Sequence, residues 1–162
     1  MRPGSVQPIA SLEWLPEPER VVRHRHFKTQ ELATGPSAVR DRVPLLFNDD
    51  VALQLVRPRK DDAVFYRNAQ GDEVVFVVEG AGILESSFGG LPYCAGDYVV
   101  IPRGILHRWR LGKGPQRFLV IESRGYLRTP KRYRNEHGQL TEMAPYSERD
   151  IRAPEGLAPR DE

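Results

Sequence analysis

The chain has 162 residues and a formal net charge of +2, a size that suits one domain able to bury a core without disulfides or structural metal. The charge is too small to imply a nucleic-acid partner, no run approaches the roughly 18 apolar residues of a membrane span, and the first residues lack the apolar stretch of a secretory leader. Cys94 is the only cysteine, so no internal bridge is possible, and a reducing cytoplasm is the expected setting.

Residues 1–20 carry Pro3, Pro8, Pro16 and Pro18 and read as an extended arm, with Trp14 and Leu15 as anchors. From there to residue 123, short runs rich in Val, Ile, Phe and Tyr alternate with turn residues. They predict strands over Val21–Phe27, Val43–Phe47, Val51–Arg57, Ala63–Arg67, Glu73–Glu79, Gly82–Ser87, Asp97–Pro102, His107–Leu111 and Gln116–Glu122. Asn48 to Asp50, Gln70 to Asp72 and Phe88 to Gly90 supply the turn chemistry between them. Many short strands at regular spacing predict an all-β barrel of jelly-roll type. Residues 124–162 predict an irregular extension with one helical turn near Ser147–Ile151, capped by Ser147, and a linker-like end.

Two strands are apolar on both faces. If Glu73 points into the barrel, Val75 and Val77 follow it, and Val74, Phe76 and Val78 face outward and need cover. Tyr98 to Ile101 repeats the pattern. Another sheet of the chain, its N-terminal segment, a second domain or another subunit could supply that cover.

The chemistry concentrates between Tyr66 and Trp109. Gly96, Pro102, Gly104 and His107 fit the second signature of a cupin barrel, and Glu73 with Gly80 fits the back half of the first. A cupin metal site needs imidazoles and a carboxylate converging inside the barrel, a donor set suited to Fe(II), Mn(II) or Ni(II). Glu73 and His107 supply one of each and are the only plausible metal candidates. Tyr66 and Asn68 stand where the usual histidine pair would be, and phenol and amide are weak substitutes for imidazole. Two other arrangements use the same residues. Glu73 and His107 can form a buried hydrogen-bonded pair that Tyr66 joins. Alternatively, Tyr66, Asn68, Glu73, His107 and Trp109 can line a metal-free pocket for a small acid or phenol.

Other features weigh less. His24 and His26 have the spacing of a ligand pair, but no carboxylate and glycine follow at the required distance. Cys94 lacks a basic neighbour that would activate it. Arg124, Arg128, Lys131, Arg132 and Arg134 interleave with Tyr126 and Tyr133, a pattern more common on solvated or interdomain surfaces than on nucleic-acid sites.

The stretches Tyr66 to Glu73 and Gly96 to Gly104 resemble the N-terminal half of homogentisate 1,2-dioxygenase, closest to its bacterial branch. The likeness continues through Pro130 to Gln139 and Pro145 to Asp150, and so covers about residues 60–152. The resemblance implies an Fe(II)- and dioxygen-dependent ring cleavage of homogentisate to maleylacetoacetate, in tyrosine and phenylalanine catabolism. It also implies that the iron ligands lie in a C-terminal half with no counterpart here, so no catalytic residue is assigned and no cofactor is expected in this chain.

The leading expectation is therefore a single cupin barrel over 21–123, between an arm at 1–20 and an extension at 124–162. It would act as a scaffold that packs on a catalytic domain or on other subunits of an oligomer through its apolar outer strand faces, inactive alone. The alternatives are a stand-alone metal-free cupin binding a small acid or phenol, and a small metal enzyme using Glu73 and His107.

Overall fold

The computed structural model describes residues 23–156 together with residues 8, 14–16, 18 and 21. Most of the N-terminal arm and the last six residues of the C-terminal tail lie outside the described residues. Among those described there are eight strands and three short 3-10 turns, with no α-helix. The strands are β1 (Val43–Phe47), β2 (Val51–Val56), β3 (Asp72–Glu79), β4 (Ala81–Ser86), β5 (Gly89–Cys94), β6 (Tyr98–Ile101), β7 (His107–Leu111) and β8 (Arg117–Ser123). They form a five-stranded sheet in the order β1-β2-β8-β3-β6 and a three-stranded sheet in the order β5-β4-β7, with every pairing antiparallel.

Alternation along β3 places each side chain. Glu73, Val75 and Val77 are fully buried, while Val74, Phe76 and Val78 are half-buried on the other face. On β6, Val99 and Ile101 are buried and Tyr98 and Val100 are exposed. The core gathers Val56, Val75, Val77, Val99, Ile101, Phe118 and Val120 from one sheet and Leu84, Tyr93 and Trp109 from the other. Ala38, from the loop before β1, completes it at 1% exposure.

Two predicted strands do not form. Val21 and residues 23–27 are irregular and exposed, because Arg23, His24, Arg25 and His26 offer no apolar row for a sheet to cover. The presumed ligand spacing of His24 and His26 thus has no strand to align it. Residues 63–67 contribute a single antiparallel bridge, between Tyr66 and His107.

One strand was hidden in the sequence. Gly89, Gly90 and Pro92 read as breakers, yet β5 pairs with β4 over its whole length. Ser86 faces Gly89, so Ser87 and Phe88 alone make the turn, and Gly89 takes the positive φ of 115°. Pro92 is tolerated because β5 lies at the sheet edge.

The C-terminal extension is irregular but anchored. Asp72 accepts the Leu127 N–H at 2.8 Å, Arg152 pairs with Asp97, and Glu155 donates its N–H to the Gly90 carbonyl at 2.9 Å. The expected helical turn is the 3-10 turn Glu148–Asp150, where the Ser147 N–H reaches the Asp150 carboxylate at 2.7 Å. Part of the basic run stacks within the chain: Arg128 lies over the Tyr126 ring, as does Arg103 from outside the run, and Arg132 lies over Tyr133.

Candidate functional site

The five-stranded sheet brings two carboxylates face to face inside the barrel. Glu73 on β3 pairs directly with Glu122 on β8, and directly opposed residues share a face. Like charges at that spacing repel, so the site depends on what separates them. The Asn68 amide does so: its Nδ2 donates to Glu73 Oε1 at 3.0 Å and to Glu122 Oε1 at 2.8 Å. Gln54 Nε2 adds a longer bond to Glu122 Oε2 at 3.3 Å.

The other Glu73 oxygen takes a cation from the chain itself. Arg42 Nη2 donates to Glu73 Oε2 at 2.9 Å, with side chains 5% and 0% exposed. Burial alone pushes the Glu73 carboxyl up, but the Arg42 charge and the bonds from Arg42 and Asn68 outweigh it and hold the carboxyl below its ordinary range. Burial likewise pulls the Arg42 guanidinium down, and Glu73 more than offsets that.

His107 sits in the same interior, wholly buried, but does not bond to Glu73 as the paired reading expected. Its Nδ1 lies 3.0 Å from the Ile105 carbonyl, which selects the tautomer with hydrogen on Nδ1 and a lone pair on Nε2. Burial lowers its affinity for a proton despite the nearby carboxylates, which favours the neutral ring. Among the described residues Nε2 has no hydrogen-bond partner.

Tyr66 lies edge-on to His107, with ring centroids 5.4 Å apart, and its backbone exchanges two hydrogen bonds with His107 at 2.7 and 2.8 Å. Burial and the Glu73 charge push its phenol well above the usual range, so it stays protonated. Trp109, two residues along β7, belongs elsewhere: its ring packs against Tyr93 and Phe118 at 5.1 and 4.8 Å.

The position that a metal cupin gives to histidine has a structural occupation here. Asn68 Oδ1 accepts the N–H groups of Gln70 and Gly71 at 2.9 and 3.0 Å, closing the turn into β3. Its own carbonyl accepts the Gly104 N–H at 2.6 Å. Both ends of the amide are thus committed, one to the backbone and one to the two carboxylates.

For Fe(II), this donor set is short of imidazoles. Glu73 has Arg42 on one oxygen and Asn68 on the other, the Tyr66 phenol keeps its proton, and the Arg42 guanidinium offsets the Glu73 charge. Among the described residues His107 Nε2 is the one imidazole nitrogen at this interior without a hydrogen-bond partner. Among the described residues no three His, Cys, Asp or Glu side chains converge as a ligand set.

Sequence reasoning placed Tyr66, Asn68, Glu73 and His107 in one region, and the structure brings them together. It missed Arg42, Glu122 and Gln54. A signal existed for Glu122, because Phe118, Val120 and Glu122 share one strand face and the first two are core. Arg42 gave none, since it enters from a loop. Cys94 is exposed at the end of β5, with its N–H on Asp97 at 2.7 Å.

No family model matches the chain. It is 37% identical over 133 residues to a protein of Saccharolobus solfataricus whose name assigns it provisionally to the dioxygenases, covering 82% of this chain and 34% of that one. It is 29% identical over 151 residues to a homogentisate 1,2-dioxygenase of Rhodopseudomonas palustris, covering 88% of this chain and 33% of the enzyme. The chain thus spans about a third of the length of these relatives. Among solved structures, it superposes on the cupin domain of Cnp3 from Schizosaccharomyces pombe with a TM-score of 0.53 at 10% identity, over 60% of this chain and 72% of that one. That likeness speaks for the fold. The chain has the cupin fold, and its sequence resembles proteins that carry dioxygenase names.

Proposed function

We propose that this chain is a metal-free cupin portion of a dioxygenase-type protein and serves as a scaffold rather than a catalytic centre. The observation that carries this reading is the Arg42–Glu73 ion pair, which places a guanidinium where a metal would need open coordination. The relatives are about three times as long as this chain, so chemistry in the remaining part is compatible with a structural role here.

The outer face of the five-stranded sheet suits such a role. Leu46, Leu53, Ile121, Val74 and Val100 pair across all five strands in one row. Beside it, Leu119, Phe76 and Tyr98 form a second row, with Tyr98 66% exposed. An apolar surface of this kind is suited to packing against the remainder of a longer chain or another subunit.

Metal analysis combined with oxygen uptake on homogentisate tests the reading. Negligible iron and no homogentisate-dependent uptake are expected; stoichiometric iron with turnover overturns it.

One observation favours a second reading, in which the interior binds a small acid or phenol. The buried His107 Nε2 lone pair has no donor among the described residues, and a hydroxyl hydrogen would satisfy it. That reading expects a small phenol to raise Tm by mass action, and His107→Ala to abolish the rise in a folded protein. A phenol with no effect on Tm eliminates it.

A further inference from the structure

The segment that delivers Arg42 is tied down along its whole length. The Arg57 N–H donates to Thr34 Oγ1 at 3.0 Å, and the N–H groups of Arg59 and Lys60 converge on the Pro36 carbonyl at 2.8 and 3.2 Å. The Ser37 N–H reaches Asp41 Oδ2 at 2.7 Å, and Ser37 Oγ accepts from the N–H groups of Val39 and Arg40. Ala38 is inserted in the core. Gly35 lies so close to the Asp41 carboxylate that any side chain there would overlap it. Arg42 Nε then donates back to the Ala38 carbonyl at 2.9 Å, which orients the guanidinium before it meets Glu73.

We infer that residues 34–42 form a fixed plug whose Arg42 is the resident cation of the barrel, balancing the interior charge of Glu73 in place of a divalent ion. The inference rests on the metal-free reading above and adds a cause to it. A buried carboxylate needs a counter-charge, and a guanidinium anchored also on the Ala38 carbonyl supplies one without any exchangeable ligand. The pair is separated by 31 positions in sequence, so it also clamps the plug to β3. Arg42 is a positioning residue in this scheme and touches no reacting group.

A double-mutant cycle read by thermal unfolding of the full chain tests the inference, using Arg42→Met, Glu73→Gln and the pair together. Each single change strands a buried charge and should lower Tm by roughly 10 °C, whereas the double change strands none and should lose clearly less than the sum. Nickel should raise the Tm of Arg42→Met, where Glu73 lacks its cation, and leave the wild type and the double variant unmoved. If Arg42→Met fails to fold, a folded double variant still upholds the inference. Additive losses, an unfolded double variant, or nickel stabilising the wild type as much as Arg42→Met overturn it. Additive losses in an iron-free wild type defeat this inference alone, whereas a wild type loaded with iron and turning over defeats the metal-free reading as well.

Discussion

The barrel interior has two ends that obey different rules. At one end Glu73 faces Glu122; four residues away on the same strands, Val77 faces Phe118, roughly 13 Å along the sheet. On β7 the same division separates His107 from Trp109. The aromatic end, with Tyr93, Trp109 and Phe118 in mutual edge and tilted contacts, is held by shape and area, which tolerate volume-conserving change. The polar end is held by directed bonds among Arg42, Asn68, Glu73, Glu122 and Gln54, where removal of one partner leaves another stranded. One end of this barrel is therefore sensitive to volume, the other to charge count.

The largest effect should come from breaking the aromatic end. Trp109→Ala is expected to cost about 3–5 kcal/mol in urea unfolding. Trp109→Phe should cost less, about 1–3 kcal/mol, because it leaves a smaller cavity and the indole N–H has no acceptor among the described residues to lose. A Phe variant as damaged as the Ala variant would mean the indole makes a bond that matters.

Asn68→Ala should follow, at about 2–3 kcal/mol, because it removes the donor between two opposed carboxylates and the acceptor that closes the turn at Gly71. A loss no greater than at an exposed asparagine would show that Glu73 and Glu122 do not need separating.

Acid should weaken the polar end next. The Glu73 carboxyl is held low when folded, so its contribution is present above the ordinary carboxylate range and disappears as pH falls through the lowered folded value. Asp72 carries the same sign: burial pushes it up, but the N–H groups of Arg103 and Leu127 hold it low. Asp62 carries the opposite sign, because burial raises it despite the Trp109 N–H and Ser37, so its contribution is present in acid and lost as pH rises. Unfolding free energy should therefore fall below pH about 4, and the fall should be shallower in Glu73→Gln. Equal slopes in both proteins would remove Glu73 from the acid response.

The smallest effect belongs to the outside. Val100→Ser should change the stability of the isolated chain by no more than about 0.5 kcal/mol, since its side chain already faces solvent. A larger loss would mean that another part of the chain covers it.

Much of the fold was legible. Alternation in β3 put Glu73 inward with Val75 and Val77, and the gap at Tyr66 and Asn68 marked an interior short of imidazoles. Breakers misled at β5, where Pro92 and two glycines are accommodated at a sheet edge. In the other direction, residues 21–27 have strand-forming valines but no row to bury.

The site was legible only by half. Spacing along one chain segment could nominate Tyr66, Asn68, Glu73 and His107, because local periodicity decides which way a strand side chain points. It could not say that Asn68 divides its amide between a turn and two carboxylates, since Glu122 lies 54 positions away. Nor could it find Arg42, whose reach into the barrel depends on how the loop from Thr34 to Arg42 is pinned by the residues that follow β2 and by the core. By itself the sequence determined an all-β barrel with a carboxylate inside and too few imidazoles around it. Only the tertiary structure decided what neutralises that carboxylate, because a counter-charge from a distant loop is set by packing and not by any local period.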